Sequence, residues 1–143
     1  MTLLLVHAGA TLVLAGLIWT VQVVHYPLFD GVGADRFTEY EARHASSIGR
    51  LLVVPAGIEV VAAGWLAVDP PDGVPPWLIL SSGALLFAVW VVTVLVQVPT
   101  HRRLSSGFDP DVHRRLVVSN WWRTGAWTVR GIVALVMIGL AGT

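Results

Sequence analysis

The chain has 143 residues, enough for one domain, and its 9 basic and 9 acidic residues give a net charge of zero. This balance argues against nucleic acid as a partner, and the lack of cysteine excludes disulfides, thiolate metal sites and cysteine nucleophiles. Charged residues make up only 13% of the chain, against about 25% in soluble domains, and the mean hydropathy is +0.73. We therefore expect an integral membrane protein in contact with the lipid bilayer.

Four apolar stretches are long enough to cross the hydrocarbon core, which takes about 20 residues. They cover residues 3–26, 48–68, 77–100 and 117–141. The proline-rich turn DPPDGVPP between the second and third stretches predicts that these two helices are antiparallel neighbours. The sequence therefore predicts one all-α domain over residues 1–143, a bundle of four transmembrane helices.

Two loops carry further helical signals. Residues 34–45 in loop 1 predict a short amphipathic helix because four side chains recur at the spacing i, i+3, i+4 and i+7. These are Phe37, Tyr40, Glu41 and His44. In loop 3, the run Asp109-Pro110-Asp111 is typical of a helix N-terminus. We therefore expect helix 4 to begin near residue 110 and to continue into the membrane.

The distribution of arginine predicts the orientation of the bundle. All nine basic residues are arginine, and they lie in or beside loops 1 and 3 or within helix 4. The positive-inside rule then places loops 1 and 3 in the cytoplasm and both termini outside. We expect the membrane to be a bacterial inner membrane.

The polar residues of each predicted membrane helix share one face, which should point into the bundle because lipid cannot satisfy them. Glu59 in helix 2 and Arg130 in helix 4 lie at similar depths. An isolated charge at the bilayer centre costs about 2.5–3.5 kcal/mol, so we predict that these two residues pair. The pair is either a strut that fixes helix register or part of a path for protons or substrate.

Histidines concentrate where loop 1 and the end of helix 3 should meet. Three histidines and one glutamate are the candidate metal ligands: His25, Glu41, His44 and His101. Glutamate and histidine at i and i+3 project together in carboxylate-bridged metal bundles, and this donor set suits divalent iron, copper, zinc or manganese. A haem held by two of the histidines is the weaker alternative. We expect His113 to be solvated and His7 to lie on the opposite side of the membrane.

A second polar group is predicted just inside the same mouth of the bundle. Arg123, with Asn120, suits an anionic head group or a polar substrate oxygen, because the forked guanidinium binds such groups well. The alternative is charge pairing with a glutamate or a lipid phosphate. The candidate residues for cofactor binding are Gln97, Trp127 and Tyr40.

Three sequence blocks resemble a widespread group of small, uncharacterised bacterial four-helix membrane proteins. The blocks are HYPLF with the following FTEYEARH, VPTHRRLSSGFD, and NWWRTGAWTVR. The resemblance implies the fold and no established activity. A weaker similarity to the anthrone-oxygenase-like membrane family is carried by Pro99, His101 and Leu104 and by Trp127 with Arg130. That family lacks a histidine-rich loop 1.

The leading hypothesis from the sequence is a membrane-embedded, metal-assisted enzyme, an oxidoreductase or oxygenase, acting on a hydrophobic small molecule or lipid. In it, Arg123 and Asn120 orient a substrate oxygen, while Glu59 and Arg130 close the cavity floor or relay protons. One alternative is a small transporter or a carrier of metal or haem that uses the Glu59–Arg130 stripe and requires a homo-oligomer. Another is a structural membrane subunit.

Overall fold

The computed structural model describes residues 1–142. Its α-helices are α1 Thr2–Thr20, α2 Ala34–Val68, α3 Pro76–Val92, α4 Val98–Leu104 and α5 Pro110–Ala141. A π-helical segment, Val21–His25, and a 3₁₀ segment, Tyr26–Gly31, follow α1, and a second π segment, Thr93–Gln97, joins α3 to α4. These elements form four spans that are long and apolar enough to cross a membrane, which confirms the predicted bundle.

The outer surface of the bundle is apolar, and its interior holds buried charged side chains, which a soluble protein usually exposes. Outward side chains such as Val61 and Phe87 are 69% and 73% exposed, whereas Glu59 and Arg130 are completely buried. Only lipid is a favourable surrounding for so large an apolar surface, and buried polar groups find partners only inside the bundle. The outer face therefore fits contact with the bilayer.

Helix α1 is central to the packing. It lies against both α2 and α5, while α3 packs mainly on α5. Three apolar clusters follow one another along the bundle, and the polar residues lie between them. The end that holds the segment Tyr26–Gly31 and the turn before α5 is called the histidine end below, and the opposite end holds Met1 and the turn before α3.

The predicted loop 1 helix and helix 2 form one continuous helix, α2. The sequence suggested two elements, 34–45 and 48–68, but the intervening Ser46 and Ser47 include no glycine or proline that would stop the helix. Consequently Glu41, His44 and Glu59 lie on a single helix. Loop 1 is thereby reduced to the short turn that ends at Gly33.

The two π-helical segments each precede a proline by two positions. The segment Val21–His25 comes before Pro27, and Thr93–Gln97 comes before Pro99. Proline has no N–H to donate, so the regular α-helical ladder is interrupted just ahead of it. Such π-bulges frequently occur at functional sites because they redirect side chains. Here they fall in the segments that supply His25 and Gln97.

Helix α5 begins as the sequence predicted. The Asp109 side chain accepts hydrogen bonds from the backbone N–H groups of Asp111 and Val112 at 2.9 and 3.2 Å. Pro110 occupies the first helical position, where its missing N–H costs nothing. One helix therefore carries every polar residue of the NWWRTGAWTVR block.

Gly73, in the turn between α2 and α3, is a position where only glycine fits. Its φ is +78°, and a Cβ there would lie 2.7 Å from the backbone oxygen of Leu140. We expect Gly73→Ala to destabilise the protein by about 1–3 kcal/mol, because strain at positive φ adds to this clash. Thermal unfolding in detergent measures the effect. The control is Gly83→Ala, an exposed helical site with open space around it, which should be neutral or slightly stabilising. Equal melting temperatures for the two variants would contradict this reading of the turn.

Candidate functional site

The four predicted metal ligands come together at the histidine end. His25 Nε2 and His44 Nδ1 are 2.7 Å apart and share a hydrogen bond, and the rings of His44 and His101 stack with centroids 5.5 Å apart. His101 Nδ1 donates to Glu41 Oε1 at 2.5 Å. The prediction that these residues converge is therefore met in the fold, with Glu41 completely buried.

His101 is the middle of a hydrogen-bonded chain. Its Nε2 lies 2.9 Å from the Tyr26 hydroxyl, which is also 3.4 Å from Gln97 Oε1. The Gln97 amide is held in turn, since its Nε2 donates to Ser119 Oγ at 2.8 Å. The chain therefore runs from a buried carboxylate through an imidazole and a phenol to a fixed amide oxygen.

The same side chains are suitable metal ligands by chemical type, but their arrangement is not that of a metal site. Imidazole and carboxylate are good ligands for the transition metals predicted, and Glu41 Oε2 is buried without a hydrogen-bond partner. However, both ring nitrogens of His101 already bond to Glu41 and Tyr26. Within residues 1–142 no group of three or more histidine or acidic side chains is arranged to hold a metal ion. Metal or haem binding at these residues stays a prediction.

A cavity of about 350 Å³ lies beside this chain. Its polar wall consists mainly of Tyr26, Gln97, His101 and Arg123, and the rest of its lining is largely apolar. The exposed members of the lining, which mark its rim, lie on α2, on α4 and directly after α4: Ala45, Gly49, Val98, Arg102 and Ser105. The cavity therefore opens between α2 and α4.

Arg123 lies on the cavity wall with a polar network behind it. Its Nη1 donates to Asn120 Oδ1 at 2.9 Å, and the guanidinium lies over the Trp127 ring at 5.2 Å from the centroid. Asn120 Nδ2 donates to Gln22 Oε1 at 2.9 Å. Asn120 is itself completely buried and does not line the cavity, so it positions Arg123 and is not placed to meet a substrate.

The predicted pairing of Glu59 with Arg130 is confirmed. Arg130 Nη2 and Nε lie 3.1 and 3.3 Å from Glu59 Oε1, and both side chains are completely buried. Thr11 donates to the same oxygen at 2.9 Å, and Trp127 donates to Glu59 Oε2 at 3.2 Å. Arg130 Nη1 donates to both the backbone and the side chain of Ser82. Because both oxygens of the Glu59 carboxylate are hydrogen-bonded, the pair is arranged as a structural strut. It contacts Trp127, which lines the cavity.

Other predicted residues lie next to this cavity and not within it. Tyr40 lines a separate, more open groove of about 740 Å³ together with His25 and His44. His113, expected to be solvated, is half-buried, and its Nε2 donates to the Tyr26 backbone oxygen at 2.7 Å. That expectation was wrong because the 3₁₀ segment Tyr26–Gly31 folds back onto α5. His7 lies far from the histidine end, beside Arg130 at 3.4 Å, as expected.

Tyr26 belongs to the site although it is not among the predicted site residues. Its ring is buried and its hydroxyl joins His101 to Gln97. The available signal was its position between His25 and Pro27, where a break in the helix was foreseeable. Ser119 was missed, because a single serine on an apolar helix carries no pattern of its own.

No protein-family model, no curated protein and no solved structure matches this chain. The resemblance drawn from the three sequence blocks therefore stays a prediction.

Proposed function

We propose that this chain is a membrane-embedded enzyme that performs acid–base chemistry on a hydrophobic substrate with a polar head. The reacting group is the Tyr26–His101 pair. Glu41 accepts a hydrogen bond from His101 Nδ1, which orients the ring and stabilises its protonated form. The substrate reaches the pair through the opening between α2 and α4. This proposal keeps the predicted His/Glu site and takes proton transfer as its chemistry.

The hydrogen bonding of His101 carries the proposal, because the same heavy atoms suit both protonation states of the ring. With neutral imidazole, Nδ1–H donates to Glu41 and Nε2 accepts a hydrogen bond from the Tyr26 hydroxyl at 2.9 Å. With imidazolium, Nε2–H donates to the Tyr26 oxygen, and the Tyr26 proton turns to Gln97 Oε1 at 3.4 Å. A group that gains and loses a proton without rearrangement is suited to general acid–base catalysis.

The cavity supports a hydrophobic substrate. A volume of about 350 Å³ falls within the range of about 300–1,000 Å³ that is common for small-molecule sites. Apolar side chains such as Leu14, Ile18 and Leu52 line the part away from His101. A substrate dissolved in the bilayer would therefore bury its apolar body here and present its head to Tyr26 and His101.

The distribution of arginine supports an orientation with the histidine end in the cytoplasm, by the positive-inside rule. Arg36, Arg43, Arg102 and Arg103 are exposed at this end, whereas no arginine lies in the turn before α3. On this orientation both termini are outside, and the inner membrane of a bacterium is the matching location. The site then faces the cytoplasm and exchanges protons with it.

The test is turnover by the purified protein, reconstituted in vesicles and incubated with a hydrophobic extract of bacterial membranes. Mass spectrometry compares the extract before and after incubation. We expect a compound to be consumed by the wild type and by the exposed control Arg115→Gln, and to survive with His101→Ala. Identical extracts for the wild type and His101→Ala would reject an enzymatic role for this site.

A further inference from the structure

We infer that the cavity binds a carboxylate amphiphile with one hydrocarbon chain, such as a long-chain fatty acid, with its carboxylate on Arg123. This inference names the substrate class of the site and rests on the proposed function only for the chemistry that follows binding. Three features of the molecule carry it: an uncompensated charge, an unused donor and the shape of the cavity.

The charge of Arg123 has no counter-charge within the described chain. The guanidinium is only 6% exposed, and none of the ion pairs formed by residues 1–142 involves it. Its neighbours are a neutral amide, Asn120, an indole, Trp127, and the phenol of Tyr26. Arg130, by contrast, has Glu59. Burying an unpaired charge is costly, so the site is complete only when an anion binds.

Arg123 also retains a donor for that anion. Its Nη1 donates to Asn120 and the guanidinium also hydrogen-bonds the Tyr26 side chain, whereas its Nε is buried and has no hydrogen-bond partner within residues 1–142. An unpaired N–H of a buried arginine favours an anionic oxygen as its acceptor, because charge-assisted hydrogen bonds are stronger than neutral ones. Asn120 holds the guanidinium in place from the other side, which fixes the direction of approach.

The cavity favours one chain and a single negative charge. Its lining includes Arg123 and Arg102 but no acidic residue among those described. Arg102 is exposed at the rim, so Arg123 is the one buried arginine in the lining, and a carboxylate carries the matching charge of one. Apolar side chains such as Leu14, Ile18 and Leu52 line the part that takes the hydrocarbon chain, and the opening between α2 and α4 lets a longer chain extend out of the cavity.

The experiment measures binding to the purified protein in a non-ionic detergent by native mass spectrometry. The probes are palmitic acid, its methyl ester and hexadecyl phosphate, which share one chain length and differ in the head group. We expect the acid to bind at least about tenfold more tightly than the ester, the effect of one charged hydrogen-bonded pair. The phosphate should bind more weakly than the acid.

The variants assign the preference to one residue. Arg123→Gln should abolish the preference for acid over ester, whereas Arg115→Gln, exposed on the same helix, should keep it. Equal binding of acid and ester by the wild type, tighter binding of the phosphate, or an unchanged preference in Arg123→Gln would overturn the inference. The comparison within the wild type decides the matter even if Arg123→Gln does not fold. Acid binding without any turnover would refute the proposed function alone, and turnover of only neutral compounds would refute the inference alone.

Discussion

Replacing Arg130 with methionine should destabilise the protein by about 3–5 kcal/mol, the usual cost of removing one partner from a buried ion pair. The variant leaves the Glu59 carboxylate completely buried with only Thr11 and Trp127 as donors. It also removes the bonds to Ser82 that tie α5 to α3. The measurement is the loss of folded protein on heating or on titration with denaturing detergent.

The matched control is the double variant Arg130→Met with Glu59→Leu, which removes both charges and keeps the apolar volume. Because no unpaired charge remains, the double variant should regain a large part of the lost stability. Additive losses from the two substitutions would show that the pair is not coupled. Wild-type stability of Arg130→Met alone would contradict a structural role for the Glu59–Arg130 pair.

Glu41→Gln should lower turnover by about 10²–10⁴-fold, the contribution that a positioned acid–base group makes. The amide keeps the size of the carboxylate but loses its charge, so it cannot stabilise an imidazolium on His101 at 2.5 Å. His101→Ala should lower turnover at least as far. The rate constants are measured on the compound that the membrane extract identifies.

His25→Ala distinguishes acid–base chemistry from a metal site. His25 bonds to His44 in the separate groove and does not line the cavity. We therefore expect His25→Ala to turn over at close to the wild-type rate. A loss as large as that of His101→Ala would show instead that the three histidines act as one unit, as the predicted metal site requires.

The fold was readable from the sequence because hydropathy and helical spacing act locally. Four apolar stretches, the cap at Asp109 and the paired charges of Glu59 and Arg130 each follow from the chain by simple rules. The convergence of His25, Glu41, His44 and His101 was also foreseeable, because they fall at one depth. These features depend on depth in the membrane and on helix face, and both follow from residue spacing along the sequence.

The detail of the site was not readable because it depends on how the helices rotate and end. Residue spacing shows neither how far the π segments rotate His25 and Gln97 nor which neighbours those side chains then meet. Nor could it separate the cavity of Arg123 from the groove of Tyr40. These facts arise from packing between elements that are distant along the chain.

The most direct test of the proton-transfer account measures metal content and turnover in the same preparation. Wild type and His101→Ala are purified in mild detergent, analysed for iron, copper, zinc and manganese, and recorded by absorption spectroscopy, before and after treatment with a chelator. Our account predicts turnover that does not change with metal content and that disappears only in His101→Ala. A near-stoichiometric metal that is absent from His101→Ala, with turnover lost on chelation, would contradict it and establish His101 as a metal ligand.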